Sequence, residues 1–221
     1  MVERKGDPDA LWTAVDEYIV DRLIPDDHPA TRAANAAAGL PDIDVSVPQG
    51  KFLHLLARAI GARRVLEVGT LGGYSTIWLA RAVGEGGGVI SLEIDPHHAA
   101  VAVGNLQRAG VAERVSVLVG DAVETLQGLE GPFDLVFIDA DKPSNVAYLT
   151  AALRLSRPGT VIIVDNVVRE GDVLDAASDD PRVIGTRALF DAVAAEPRLS
   201  ATAIQTVGGK KWDGFLIALV D

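Results

Sequence analysis

The chain contains no cysteine. This absence excludes disulfide bonds, thiolate zinc sites and cysteine nucleophiles, and it leaves any bound metal to oxygen or histidine ligands. Basic residues are also scarce: 20 lysines and arginines face 31 aspartates and glutamates, a net charge of -11. Because nucleic acids and anionic membrane surfaces are bound through basic patches, we expect neither as a partner.

Long apolar runs are missing as well, although hydrophobic residues make up 48% of the chain. No segment approaches the roughly 20 apolar residues that span a bilayer, so these residues are expected in a folded core. The amino terminus, Met-Val-Glu-Arg-Lys-Gly-Asp-Pro, is charged where a signal peptide needs an apolar stretch. These features predict a cytoplasmic protein without a membrane partner.

The length of 221 residues suits one domain that covers the whole chain, residues 1–221. Apolar residues recur at helical spacing over 11–23, before Pro25 and Pro29 interrupt the pattern. We therefore expect residues 1–45 to form an N-terminal helical cap segment on a core of residues 46–221.

Short apolar runs alternate with helix-length segments along the core. The predicted strands are Arg64–Val68, Val89–Glu93, Val115–Val119, Leu135–Ile138, Val161–Val164, Leu199–Val207 and Gly214–Val220. This alternation is typical of βαβ units. We predict an α/β fold with a doubly wound, seven-stranded, mostly parallel sheet, a final antiparallel strand and helices on both faces.

A glycine-rich turn follows the first predicted strand. Its glycines are spaced G-x-x-G-G between Glu67 and Ser75, which differs from the G-x-G-x-x-G of dinucleotide folds. Glu67 would repel a pyrophosphate, whereas Glu93 ends the second strand, where an acid can accept hydrogen bonds from ribose hydroxyls. Each motif alone also fits an ordinary turn, but together they favour a nucleoside ligand.

Oxygen-bearing side chains follow the fourth and fifth predicted strands. Asp139, Asp165 and Asn166 would meet at one sheet edge and could bind magnesium, manganese or calcium, although each pair alone also fits an ordinary turn. Lys142 lies three positions after Asp139. A divalent cation nearby disfavours its protonated form, so Lys142 is either a candidate general base or a surface charge.

Several motifs make the chain resemble the cation-dependent O-methyltransferases, which include catechol and caffeoyl-coenzyme A O-methyltransferases. The resemblance extends from about Val45 to the carboxyl end, and its motifs are Val65–Ser75, Leu92–Asp95, Phe137–Lys142 and Val164–Asn166. It implies a Rossmann-like methyltransferase domain whose core, residues 46–221, binds S-adenosylmethionine. It also implies a homodimer.

The resemblance assigns site residues too. It implies that S-adenosylmethionine contacts Val45, Glu67, Gly69, Thr70, Gly73, Tyr74, Ser75, Glu93, Asp121, Ala122 and Asp139, with Glu93 on the ribose and Asp121 and Ala122 beside the adenine. Asp139, Asp165 and Asn166 would bind Mg²⁺, or alternatively Mn²⁺ or Ca²⁺, and Lys142 and Asp139 would be catalytic.

The implied reaction is methyl transfer to one hydroxyl of a small catechol-like acceptor, a vicinal dihydroxy aromatic molecule, with Lys142 taking the proton. Many relatives carry a tryptophan and a tyrosine where this chain has Val167 and Asn145. Arg169 could select an acidic or phosphorylated acceptor or be a solvent-facing charge. Trp212 could pack or could line the acceptor pocket.

Two other functions stay open at this point. A nicotinamide-dependent oxidoreductase could use a similar sheet, but the glycine spacing and Glu67 argue against it. A non-catalytic cofactor-binding protein could keep the nucleoside pocket, but the presence of Asp139, Lys142 and the Asp165-Asn166 pair argues against that function.

Overall fold

A computed structural model describes residues 7–25 and 27–221. One seven-stranded sheet has the order β3-β2-β1-β4-β5-β7-β6. Its strands are β1 (Arg64–Val68), β2 (Gly88–Glu93), β3 (Val115–Val119), β4 (Leu135–Ile138), β5 (Val161–Asp165), β6 (Leu199–Gly208) and β7 (Lys211–Val220). The first five are parallel, and β7 is antiparallel to β5 and β6. The predicted fold class is confirmed.

The last hairpin is longer than predicted. Strand β7 begins at Lys211 instead of Gly214, because its pairing with β6 continues until Gly208 lies opposite Lys211. The segment 208–213, which separates the two predicted strands, is therefore largely strand, and the turn itself is short.

Helices cover both faces of the sheet. They are α1 (Pro8–Leu23), α2 (Pro29–Ala37), α3 (Val47–Ala59), α4 (Tyr74–Val83), α5 (Pro96–Arg108), α6 (Ala122–Gln127), α7 (Asn145–Arg154) and α8 (Pro181–Ala195). Helices α1, α3, α5 and α8 begin with an aspartate or serine side chain that accepts a backbone N–H, followed by a proline in the first turn. None of the described helices is long and apolar enough to cross a membrane.

Helix α2 corrects the sequence analysis, which treated Pro25 and Pro29 only as breaks. Pro29 is the first residue of α2, where the missing N–H removes no helical hydrogen bond. The helix buries Thr31 and Asn35. It therefore brings a buried amide into the N-terminal segment.

Successive strand residues point to opposite faces, so the sheet separates two apolar layers. Val65 of β1 packs with Trp78 of α4 in the layer that also contains α3 and α5. Leu66 packs in the other layer with Leu189 of α8 and with residues of α6 and α7. Because both faces are covered, β4 consists of apolar residues alone, and the buried residues of β1 are apolar except for Glu67.

The predicted cap segment of residues 1–45 lies partly outside the described residues, since 1–6 and 26 are not described. Helix α1 buries none of its side chains fully. It meets the β6-β7 hairpin through Asp16, whose Oδ2 accepts the N–H of Gly209 at 2.9 Å. Lys210 in the same hairpin donates to Oδ1 of Asp42 at 2.7 Å.

The carboxyl ends of the parallel strands form one continuous edge. The Asp139 N–H, just after β4, donates to the Val68 carbonyl at the end of β1 at 2.8 Å. The Gly120 N–H, just after β3, donates to the Glu93 carbonyl at the end of β2 at 2.9 Å. The strand order changes direction between β1 and β4, which is where open α/β sheets bind ligands.

A buried acid links β1, β2 and α4 beneath this edge. Glu67 is fully buried, and its carboxylate accepts hydroxyl hydrogen bonds from Ser75 and Ser91 at 2.6 Å and from Thr76 at 2.5 Å. Burial raises the pKa of Glu67 to about 7, the three hydroxyls oppose that rise, and the charge of Asp139 adds to it. The fold therefore shifts Glu67 toward its protonated form compared with a glutamate in water.

Replacing Glu67 by glutamine is expected to change how stability depends on pH. Because the folded pKa lies near 7 and the ordinary value near 4.5, native Glu67 retains a proton that the unfolded chain releases in this window. The wild-type free energy of unfolding therefore falls relative to that of Glu67→Gln as pH rises from 5 to 8, by on the order of 3 kcal/mol. Urea unfolding at four pH values measures this difference.

Glu113→Gln, at an exposed position, is the matched control and should follow the wild-type pH profile. If the free energies of unfolding of Glu67→Gln and the wild type differ by the same amount at every pH from 5 to 8, then Glu67 does not titrate as described.

Candidate active site

The glycine-rich turn after β1 folds around the carboxylate of Glu93. Oε2 accepts the N–H groups of Thr70 at 3.2 Å and Leu71 at 2.7 Å, while Oε1 accepts the N–H of Asp95 at 3.0 Å. Glu93 is only 7% exposed. Because a carboxylate offers about four acceptor positions, Glu93 keeps one on Oε1 for a ligand hydroxyl, on the side where Nδ1 of His98 lies 3.5 Å away.

Two glycines of this turn have backbone conformations that disfavour side chains. Gly69 has φ of 101°, and a Cβ atom there would collide with the backbone carbonyl of Asp139. Gly73 has φ of 81° and is the N-cap of α4. Glycine is therefore required for the turn after β1 to approach the end of β4 this closely.

An asparagine pair holds the turn to the N-terminal segment, and no sequence motif indicated it. The Asn105 amide, 1% exposed on α5, donates to the Gly72 carbonyl at 2.7 Å and to Oδ1 of Asn35 at 2.8 Å. Asn35 in turn donates to Oδ2 of Asp44 at 3.0 Å. A ligand bound at the turn would therefore also be sensitive to the position of α2.

Two hydroxyls that were predicted to contact S-adenosylmethionine already form hydrogen bonds within the protein. The Thr70 hydroxyl lies 2.5 Å from the Ser91 hydroxyl, and the Ser75 hydroxyl donates to Glu67. The Glu67 carboxylate lies beneath the edge and connects to it through Ser75.

Three further residues that were predicted to contact S-adenosylmethionine lie in different environments. The Tyr74 ring is 1% exposed in the apolar layer, and its hydroxyl donates to the Asp27 carbonyl at 2.9 Å, so the ring serves packing. Asp121 is exposed and caps α6, accepting the Glu124 N–H at 3.1 Å. Ala122 beside it is partly buried.

Lys142 and Asp139 form an ion pair next to Asp165. The Lys142 Nζ lies 3.0 Å from Oδ1 of Asp139, and the lysine side chain is only 8% exposed. Burial and then the charge of Asp139 raise the pKa of Asp165 to about 7, and the charge of Lys142 opposes this rise. Two carboxyl groups thus share a poorly solvated space with one amine.

The backbone around Lys142 is fixed on two sides. Asp141 caps the short 3₁₀ turn that begins at Lys142, and its carboxylate also accepts the Tyr148 hydroxyl. A Cβ atom on Gly185 of α8 would collide with the Lys142 carbonyl, so helix and turn are in close contact. This packing holds the lysine at the edge of the sheet.

The chemistry of Asp139, Asp165 and Asn166 fits a hard divalent cation. Asn166 has φ of 57°, which asparagine tolerates, and its N–H donates to Oδ1 of Asp165 at 2.8 Å. No group of three or more His, Cys, Asp or Glu side chains suited to a metal occurs in residues 7–25 and 27–221. The set is instead two carboxylates and one amide oxygen, and a bound cation would counteract both the burial and the repulsion from Asp139 that raise the pKa of Asp165.

These three residues line one cleft of about 510 Å³. The residues that line the cleft are Asp16, 42–46, Pro48, Gln49, Phe52, Asp139, Asp165, Asn166, Arg169, 206–208, Lys210, Lys211, Asp213 and Phe215. Val45, a predicted donor contact, is among them. Lys142, Glu93 and the glycine-rich turn are not, so the residues predicted to bind S-adenosylmethionine overlap with the cleft at Val45 and Asp139.

The aromatic residues that line the cleft are two phenylalanines. Phe52 and Phe215 line it, with ring centroids 5.0 Å apart. Of the two roles open to Trp212, the structure shows packing: it lies in the second apolar layer, where its ring covers Gly171. Asn145 is 1% exposed and does not line the cleft.

Comparison with known proteins identifies the family. The family model for O-methyltransferases matches residues 29–217. A catechol O-methyltransferase of Mycobacterium tuberculosis is 59% identical over 209 residues, which cover 93% of this chain and 94% of the relative. A catechol O-methyltransferase of Niastella koreensis is 49% identical over 216 residues, 95% of this chain and 98% of the relative.

A crystal structure of an O-methyltransferase from Bacillus cereus, in complex with SAH, superimposes with a TM-score of 0.94. It is 56% identical, and the match covers 96% of this chain and 99% of that chain. The family model and these relatives match most of the chain, including the residues of the site. The chain therefore belongs to the O-methyltransferase family.

Proposed function

We propose that this S-adenosylmethionine-dependent O-methyltransferase methylates one hydroxyl of a small vicinal dihydroxy aromatic acceptor and requires a divalent cation. The observation that carries the proposal is the convergence of Asp139, Asp165 and Asn166 on one cleft, with Lys142 beside Asp139. The two relatives named as catechol O-methyltransferases support this acceptor class. Because the chain belongs to the O-methyltransferase family, the alternative function of a nicotinamide-dependent oxidoreductase is excluded.

The methyl donor is proposed to lie along the carboxyl ends of β1 to β4. Glu93 would bind the ribose, Asp121 and Ala122 would lie beside the adenine, and Val45 and Asp139 would contact the part nearest the cleft. The SAH complex of the Bacillus cereus relative supports a donor site on this fold. In the glycine-rich turn and helix α4, the proposed contacts of S-adenosylmethionine are Gly69, Thr70, Gly73, Tyr74 and Ser75. Glu67 would act through Ser75.

The acceptor is proposed to occupy the cleft, with Asp139, Asp165 and Asn166 holding the cation. When bound, Mg²⁺, Mn²⁺ or Ca²⁺ would acidify an acceptor hydroxyl and fix its orientation. Phe52 and Phe215 offer apolar surface to an aromatic ring. A cation bound at Asp139 would disfavour the protonated form of Lys142, and the neutral Nζ, 3.0 Å from Oδ1 of Asp139, could then accept the hydroxyl proton.

The domain limits stay proposals: one domain over 1–221, with 1–45 capping the core of 46–221. The contacts of Asp16 with Gly209 and of Asp42 with Lys210 support a cap that closes one side of the cleft. The cytoplasmic location stays a prediction from the charged amino terminus.

Metal dependence is tested with labelled S-adenosylmethionine and a panel of catechols, hydroxycinnamates and flavonoids, with Mg²⁺ and with a chelator. We expect transfer only with metal and only to vicinal diols. Asp139→Asn and Asp165→Asn should each lower kcat/KM by more than about 100-fold, since losing an outer partner of a metal ligand already costs about 10- to 100-fold.

The control for these variants is Asp191→Asn, which removes the same charge from an exposed position of α8 and should leave transfer at the wild-type rate. Transfer that persists in chelator, or to acceptors with a single hydroxyl, would contradict the proposed metal site.

The role of Lys142 is tested by Lys142→Arg, which keeps the positive charge opposite Asp139 but cannot give up its proton at neutral pH. If Lys142 is the general base, kcat should fall about 100- to 10,000-fold. The dissociation constant for S-adenosylmethionine, measured by calorimetry, should stay near the wild-type value. A wild-type kcat in Lys142→Arg would mean that the ion pair is what the reaction needs.

We also propose a homodimer. Helix α1 exposes Leu11, Val15 and Tyr18 to the extent of 42%, 49% and 63%, and the sheet edge β6 exposes Ile204 and Val207 to 47% and 50%. Exposed apolar side chains and an open strand edge are typical of surfaces that bind another chain. Size-exclusion chromatography with light scattering should give twice the mass of one chain, and the mass of one chain would contradict the proposal.

A further inference from the structure

The turn that follows the proposed metal ligands is held in an uncommon conformation. Arg169 and Glu170 have φ of 55° and 54°, in the left-handed region that side chains other than glycine and asparagine rarely adopt. Oδ1 of Asp213 accepts the N–H groups of Val168 at 3.0 Å and Arg169 at 2.9 Å. The hairpin β6-β7 therefore fixes the backbone of Arg169.

The side chain of Arg169 forms no hydrogen bond and no close ion pair within the described chain, although its positive charge helps to lower the pKa of Asp180. It lines the cleft together with Asp165 and Asn166. Its Nε is buried and forms no hydrogen bond, and none of its guanidinium nitrogens forms a hydrogen bond or an ion pair with a described residue. A buried donor without a partner costs about 1 to 3 kcal/mol, more when it is charged, so a ligand that supplies an acceptor would gain from this arrangement.

The other cations of the cleft are already paired. Lys210 donates to Asp42 at 2.7 Å, and Lys211 lies 3.9 Å from Glu170. Asp180, near Arg169, is bonded by Arg182, which is the main reason that its pKa falls to about 2. Arg169 therefore keeps its hydrogen-bonding capacity for a molecule in the cleft.

The charge of the cleft decides which anion fits. Its acidic side chains are Asp16, Asp42, Asp44, Asp139, Asp165 and Asp213. So many acids disfavour a doubly charged phosphate, whereas a single carboxylate matches the planar edge of one guanidinium, which can donate two parallel hydrogen bonds.

We infer that Arg169 binds a carboxylate of the acceptor, so that the preferred substrates are vicinal dihydroxy aromatic acids. This inference rests on the proposed function and names its substrate class. Arg169 is a specificity-determining residue: it binds the carboxylate of an acceptor whose two hydroxyls lie at Asp139, Asp165 and Asn166.

The test compares two acceptors that share the catechol ring, 3,4-dihydroxybenzoate and its methyl ester, which is uncharged and carries one more methyl group, with Mg²⁺ present. Arg169→Gln should lower kcat/KM for the acid by about 10- to 100-fold, the equivalent of a charged hydrogen bond of about 1.5 to 3 kcal/mol. For the ester, kcat/KM should stay within about twofold of the wild type, because the ester offers Arg169 no negative charge. Lys211→Gln, which removes a charge from the same cleft, should leave the ratio of acid to ester unchanged.

Equal losses for both acceptors, or no loss for the acid, would overturn the inference while the methyltransferase function stands. If the wild type methylates neither acceptor, the proposed acceptor class fails instead. Calorimetric titration of the SAH-loaded protein with 3,4-dihydroxybenzoate then decides the role of Arg169: weaker binding to Arg169→Gln than to wild type supports it, and equal binding overturns it.

Discussion

The close approach of the turn after β1 to the end of β4 is the contact on which the site depends. Gly69 lies against the backbone carbonyl of Asp139, and no side chain could take its place. On one side of this contact, Glu93 organises the turn through backbone N–H groups. On the other side, Asp139 meets Asp165 in the cleft. In the proposed reaction, a methyl group would cross from one side to the other at Asp139.

Charge is concentrated around the same contact. Burial and the nearby Asp139 raise the pKa values of both Glu67 and Asp165 to about 7, and Lys142 is the cation paired with Asp139. Glu67 is accommodated by three hydroxyls, which hydrogen-bond either protonation state. Asp165 has no such set of hydroxyls, so a cation bound beside Asn166 would be its natural counterion. Glu67 is thus hydrogen-bonded within the fold, whereas Asp139 and Asp165 are suited to binding a metal.

Sequence patterns predicted the sheet well, because buried parallel strands are short, apolar and bounded by glycine. They also predicted which residues follow the strands, since strand ends share one edge. They missed α2, because Pro29 marks either a break or a helix start, and they missed Asn35, whose partner Asn105 lies 70 residues away. The hydrogen bonds of Asp213 to the Arg169 turn were also missed, because they join strand β7 to a turn 44 residues earlier in the chain.

Neither Val167 nor Asn145 can orient the proposed acceptor. Val167 is fully buried and Asn145 lies outside the cleft, so neither can stack on an aromatic ring as a tryptophan or tyrosine would. A ring held by two hydroxyls at the proposed metal ligands can still tilt between Phe52 and Phe215. A third point of attachment removes that freedom, and Arg169, on a backbone fixed by the hairpin, is placed to provide it. Orientation would then rest on an ionic contact in place of aromatic stacking.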